Sequence, residues 1–164
     1  MLELKKSFKN LPTEDSVTLL CVVKNEILPL PYFISYYKKL GVSHFTFIDN
    51  DSSDGTLEFL LSYEETECQV YHTSDSYAEN LFGVGWVNEI LNSQLKNKWC
   101  IVVDVDELLL LKNNLNFYEL RKKMIKQNAN ILVTTLLDFY PKNFDNSDYI
   151  SGEYFLINSD YYDK

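Results

Sequence analysis

Three acids stand close together at Asp104, Asp106 and Glu107, directly behind the apolar run Trp99-Cys100-Ile101-Val102-Val103. In extended backbone, residues i and i+2 point to the same side. Asp104 and Asp106 are therefore expected to converge, with Glu107 turned away. Converging carboxylates repel unless a cation or a proton lies between them. Hard oxygen ligands favour Mg²⁺ or Mn²⁺. Such an ion, held by Asp104 and Asp106, would neutralise a diphosphate as it leaves. A strand that simply surfaces and turns polar is the plain alternative.

Two further polar clusters follow apolar runs. Lys24-Asn25-Glu26 comes after residues 17–23, and Asp49-Asn50-Asp51-Ser52-Ser53-Asp54-Gly55-Thr56 after residues 44–48. Polar side chains just beyond a buried parallel strand lie at the ligand edge of a sheet. Lys24, Asn25 and Glu26 would hydrogen-bond a ribose or a base. Acids in the second cluster suit ribose hydroxyls or a base N–H, and not phosphate. Ordinary loop formation, with Ser53 or Asp54 capping a helix, competes with that reading. Gly83-Val84-Gly85 lacks the third glycine of a dinucleotide fingerprint and lies far from the first strand. His44 and His72 read as polar strand termini. Tyr32, Phe33, Tyr36 and Tyr37 are spaced as a core-facing helical stripe, with a sugar-stacking platform as the alternative.

These clusters need elements to hold them. The run at 17–23 is continuously apolar, which fits a strand buried on both faces. Helix is predicted over 30–40, stopped by Gly41. Strand over 44–48, helix over 56–63 and strand over 68–72 follow. Residues 73–85 read as irregular. Helix over 86–95 leads to strand 99–103, and helix over 117–127 to a fifth strand, 130–137. Alternation of this kind predicts an α/β fold, a mainly parallel sheet flanked by helices. Residues 17–140 form the domain, 1–16 an N-terminal extension, and 141–164 a tail rich in Tyr and Asp.

The length of 164 residues suits one domain with a real core. The net charge of −9 and the lack of a basic stripe exclude a typical nucleic-acid binder. Lys5, Lys6 and Lys9 form a small basic cluster, read as a solvated terminus, with loose contact with an anionic membrane surface as the alternative. Cys21, Cys68 and Cys100 show no Cys-x-x-Cys spacing, so zinc is not expected. They read as buried reduced thiols in a cytoplasmic protein. The N-terminus lacks an apolar signal core, and no run approaches the roughly 20 apolar residues of a membrane span.

Taken together, Val22-Val23-Lys24-Asn25-Glu26, Leu40-Gly41-Val42-Ser43-His44-Phe45, residues 48–56 and the 99–108 segment resemble family-2-type glycosyltransferases of the GT-A fold. The likeness covers about residues 17–140. It implies a GT-A-like nucleotide-sugar-binding domain in which Lys24, Asn25, Glu26 and Asp49 hold the base and ribose. Asn50 belongs to the same loop, and Asp54 would support it or meet the base. Asp104 would face the ribose or a metal-bound water, and Asp106 would ligate Mn²⁺ or Mg²⁺. The implied reaction moves a sugar from a nucleotide-diphosphate sugar, a UDP-sugar first, to a hydroxyl of a glycan or lipid-linked acceptor in cell-surface glycan assembly. The implied place is the cytoplasm, peripheral at the inner face of the membrane.

Many members of that group carry two adjacent acids where this chain has Asp49-Asn50. Many also carry an arginine ahead of the fourth strand, whereas the single arginine here is Arg121. The resemblance further implies an acceptor-side half that supplies the catalytic base. Residues 141–164 would begin it, and Asp138, Asp145 and Asp148 are the downstream candidates for that base. Two other classes stay open. One is a non-catalytic nucleotide-sugar-binding module or truncated subunit. The other is a phosphotransferase of the haloacid-dehalogenase type, whose Asp-x-Asp normally follows the first strand.

Overall fold

A computed structural model describes residues 1–112, 115–140 and 161–162. The apolar run predicted at its start forms β2 (Val17–Val23), buried along almost all its length. It pairs in parallel with β3 (His44–Asp49), with Thr18 opposite His44 and Val23 opposite Asp49. β3 pairs in parallel with β4 (Glu67–His72). On its other side β2 pairs in parallel with β5 (Trp99–Val102). A strand not expected from the sequence, β1 (Glu3–Lys6), runs antiparallel along β4. The sheet order is β1-β4-β3-β2-β5.

The chain thus steps from β2 outward to β3 and β4, then returns to the far side of β2 as β5. That reversal places a topological switch point between the carboxyl ends of β2 and β5, where open α/β sheets bind ligands.

Four helices complete the layers: α1 (Leu30–Lys39), α2 (Thr56–Ser62), α3 (Val84–Ser93) and α4 (Phe117–Lys126). One face of the sheet packs Phe45, Phe47, Cys21 and Val23 against Leu30, Phe33, Ile34 and Tyr37 of α1 and Phe117 of α4. The other packs Leu20, Ile48 and Tyr71 against Trp86 and Ile90 of α3.

α1 ends as the sequence predicts. Gly41 takes φ +98°. The N–H of Gly41 donates to Lys38 O and that of Val42 to Tyr37 O. This crossed pair satisfies the last carbonyls of the helix.

Two expectations change. Residues 130–137 form no strand: they are exposed, and no partner supplies a ladder for them among the described residues. Phe139–Tyr140 and Tyr161–Tyr162 pair as a small separate ribbon, β6 and β7. Cys21 and Cys68 are buried as expected, but Cys100 is exposed.

Candidate functional site

The polar segments that follow β2, β3, β4 and β5 open onto one cleft of about 510 Å³. Its polar walls are Lys24 and Glu26, Asn50 and Asp51, Ser74 to Tyr77, and Asp104 with Asp106. The cleft therefore sits at the switch point that the strand order creates.

Asp104 and Asp106 meet there by a different geometry from the one expected. β5 ends at Val102, so the two acids are not on a strand. The N–H of Glu107 donates to Asp104 O at 3.1 Å, which closes a turn over 104–107. Val105, at the centre of that turn, is buried in the core. Its side chain anchors the loop while the acids on either side face the cleft. Glu107 turns back, as its carboxylate accepts the N–H of Asp104 at 3.1 Å. α1 holds the same loop from behind. The hydroxyl of Tyr37 donates to Glu107 O and accepts the N–H of Leu109, at 3.0 and 3.1 Å. Tyr36 donates to Leu109 O. Phe33, Tyr36 and Tyr37 of the α1 stripe thus face the core, Tyr32 lies outside it, and the hydroxyls of Tyr36 and Tyr37 fix the acidic segment.

Lys24, Glu26 and Asn50 also reach the cleft. Asn25, Asp49 and Asp54 do not line it; they shape the loops that do. Asn25 adopts φ +59°. Its N–H donates to Ser52 Oγ, and its Oδ1 accepts the N–H of Ser53 at 2.8 Å. Asp54 accepts from the N–H of Ile27 and from Thr56 Oγ1. Thr56 Oγ1 in turn accepts the N–H of Glu26 at 2.8 Å. Burial pushes the Asp54 carboxyl up, but the hydrogen bonds from Thr56 and Ile27 outweigh it and hold the group below its ordinary range. Asp49 is fully buried on the α1 face, where its Oδ2 lies 3.0 Å from His72 Nδ1. Its Oδ1 has no hydrogen-bond partner among the described residues. His72 is thus the hydrogen-bond neighbour of Asp49 and more than a polar terminus.

Asp51, part of the 49–56 cluster, also lines the cleft, whereas sequence reading missed the segment 74–77. The signal was present: Thr73-Ser74-Asp75-Ser76 follows a buried parallel strand just as 24–26 does. Asn50 clamps this segment through its Nδ2, which donates to Thr73 O and Asp75 O at 3.2 and 3.0 Å.

The cleft is strongly acidic. Its lining holds the carboxylates of Glu26, Asp51, Asp75, Asp104 and Asp106 and the cation of Lys24, and Asp75 is also paired with the N-terminal ammonium of Met1. Burial, and then the charge of Asp106, push Asp104 above its usual range. Burial also raises Glu26, with added repulsion from Asp106, Asp54 and Asp104. Carboxylates raised in this way gain from a cation placed among them.

The family model of glycosyltransferase family 92 matches residues 19–161. The chain belongs to that family. No curated protein and no solved structure matches it. Membership bears out the glycosyltransferase class, and the family it shows is family 92. It also leaves the haloacid-dehalogenase alternative without support. The matched span takes in the loops after β2, β3, β4 and β5, so every wall of the cleft belongs to the family-92 region.

The donor set suits Mg²⁺ or Mn²⁺ in one specific way. Among the described residues no group of three or more His, Cys, Asp or Glu side chains could hold a metal ion. Ions that take one or two carboxylates plus substrate phosphates need no such cage. Asp104 and Asp106 fit that pattern. Asp138 is exposed and outside the cleft lining, while Asp145 and Asp148 lie outside the described residues.

Proposed function

We propose that this chain binds a nucleotide-diphosphate sugar in the switch-point cleft and transfers the sugar to an acceptor hydroxyl. The observation that carries the reading is the convergence of Asp104 and Asp106 with Lys24, Glu26 and Asn50 on one cleft in a family-92 chain. An excess of carboxylates disfavours a bare diphosphate, and a divalent cation arriving with the donor would offset that repulsion. Asp104 and Asp106 would hold that ion, Mn²⁺ or Mg²⁺, which offsets charge on the leaving diphosphate.

Glu26 would present its carboxylate oxygens as acceptors to ribose or base, while Asn50, whose Nδ2 is spent on Thr73 O and Asp75 O, holds the adjoining wall in place. Asn25, Asp49 and Asp54 set the loops that carry them. In the transfer the acceptor oxygen bonds to the anomeric carbon, and the bond from that carbon to the phosphate oxygen breaks. The nucleoside diphosphate leaves with the electron pair, and the proton of the acceptor hydroxyl passes to a general base on the acceptor side. The arrangement is GT-A-like in placing its acidic turn at the switch point. A UDP-sugar donor and a glycan or lipid-linked acceptor on the cytoplasmic face of a membrane belong to the same proposal. No described helix is long and apolar enough to cross that membrane.

Isothermal titration with UDP tests this. Binding is expected with Mn²⁺ and not in excess chelator. Asp104→Ala and Asp106→Ala should each weaken it by about tenfold or more, the loss expected when a charged ligand to the ion is removed. Wild-type affinity in both variants would overturn the reading.

A further inference from the structure

The segment between β4 and α3 carries a feature that metal and ribose binding do not explain. Residues 81–83 hold three consecutive left-handed conformations: Leu81 at φ +53°, Phe82 at +56° and Gly83 at +81°. Leu and Phe adopt that region only at a steric cost, since their Cβ crowds the following carbonyl oxygen. Neither is repaid by burial, for Leu81 and Phe82 are 69% and 68% exposed. The knuckle is nonetheless locked. The N–H of Phe82 donates to Tyr77 O at 2.9 Å, and that of Gly85 to Asn80 O at 3.2 Å. Asn80 Oδ1 accepts the N–H of Trp86 at 2.8 Å.

The knuckle fixes the ring of Tyr77. Phe82 meets it edge-on at 5.9 Å between centroids, and the buried Trp86 lies tilted at 6.1 Å. Gly83 has to be glycine for this packing, because a Cβ there would lie 2.8 Å from Tyr77 Cε2 and 3.4 Å from Val22 Cγ2. Tyr77 remains 44% exposed and lines the cleft. A ring backed by aromatics and open to a ligand cleft is a pre-set flat apolar surface. It enters from the β4 side, whereas Asp104 and Asp106 enter from β5. β4 and β5 are three strand spacings apart in the sheet order, about 14 Å. The acids fix the diphosphate end of the donor, so the far wall faces its other end.

We propose that Tyr77 is the stacking platform for the donor's nucleobase, held in place by the 81–83 knuckle; this rests on the donor reading above. Offset stacking on an aromatic face tolerates any base and is lost with the ring.

The test uses the whole chain with Mn²⁺ and three probes: UDP, GDP and inorganic pyrophosphate. Tyr77→Ala should weaken the tighter-binding nucleotide by about tenfold or more and leave pyrophosphate affinity unchanged. Tyr77→Phe should bind like wild type. Wild-type nucleotide affinity in Tyr77→Ala would overturn the platform, as would a parallel loss of pyrophosphate binding, which marks general damage to the cleft. If wild type binds neither nucleotide, the donor reading fails, and the platform with it.

Discussion

At the scale of single residues, the cleft is a place where charge has been gathered against its own repulsion. Asp104 and Glu26 have raised pKa values because burial disfavours their ionised forms and neighbouring acids, Asp106 foremost, add to the cost. A carboxyl whose folded pKa exceeds its unfolded value holds its proton more tightly when folded. Its ionised form therefore lowers stability at neutral pH, and that cost is lifted as pH falls through the folded pKa. The protein without metal should accordingly gain stability from these groups as pH drops from neutral toward the upper carboxylate range. Over the same interval Mn²⁺ must compete with protons, and its affinity should fall. Asp106→Asn removes one of the repelling charges. At pH 7 without metal it should raise Tm by about 1–2 °C, a figure kept small because both acids are solvent-exposed. It should also cancel the Tm increase that Mn²⁺ gives wild type. Scanning calorimetry in chelator and in Mn²⁺ reads both, and a lower metal-free Tm for Asp106→Asn would refute the repulsion argument.

At the scale of elements, the N-terminal lysines show how a charge run can be structural. Lys6 Nζ donates to Leu60 O and Leu61 O at 3.2 and 3.1 Å, and to Tyr63 O. It caps the end of α2, where a cation also meets the helix dipole favourably. Lys9 pairs with Glu64. Lys6→Met keeps the apolar stem and removes the cap; it should cost about 1 kcal/mol and lower Tm by about 2–4 °C. Unchanged urea and thermal midpoints would show that the cap is idle.

The sequence hid β1 because Glu-Leu-Lys-Lys has no apolar alternation. Such a strand is an edge strand, protected by its lysines, and only the free edge of β4 reveals it. Residues 130–137 mislead in the opposite direction. Their β-branched apolar composition matches a buried strand, but a strand also needs a partner's ladder, which composition does not encode. Periodicity did place β2 to β5 and the four helices, because their apolar faces are one-sided or continuous. The turn at 104–107 was beyond it, since the decisive contacts come from Tyr37, some 70 positions away in the chain. The wall at 74–77 was within reach, by the same strand-end rule that found 24–26.

At the scale of the whole molecule, the net charge of −9 and the distribution of cations act together. Lys6, Lys9, Lys38 and Arg121 pair with Glu64, Glu65 and Asp15, well away from the acidic turn. Among the residues that line the cleft, Lys24 alone is cationic. The cleft walls are therefore net negative, even with Asp75 paired to the N-terminal ammonium of Met1. Such a field concentrates divalent cations at the site and repels free nucleotide. Salt screens the long-range part: the Debye length shrinks from about 30 Å at 0.01 M to about 8 Å at 0.15 M. Mn²⁺ affinity should consequently fall several-fold between those ionic strengths. The nucleotide–Mn²⁺ complex carries far less charge than the nucleotide, so its affinity should change much less. Titrations of Mn²⁺ alone, and of UDP at saturating Mn²⁺, across that salt range separate the two. A Mn²⁺ affinity that stays flat would mean that contact with Asp104 and Asp106 dominates, and that the acidic surface contributes nothing to loading the site.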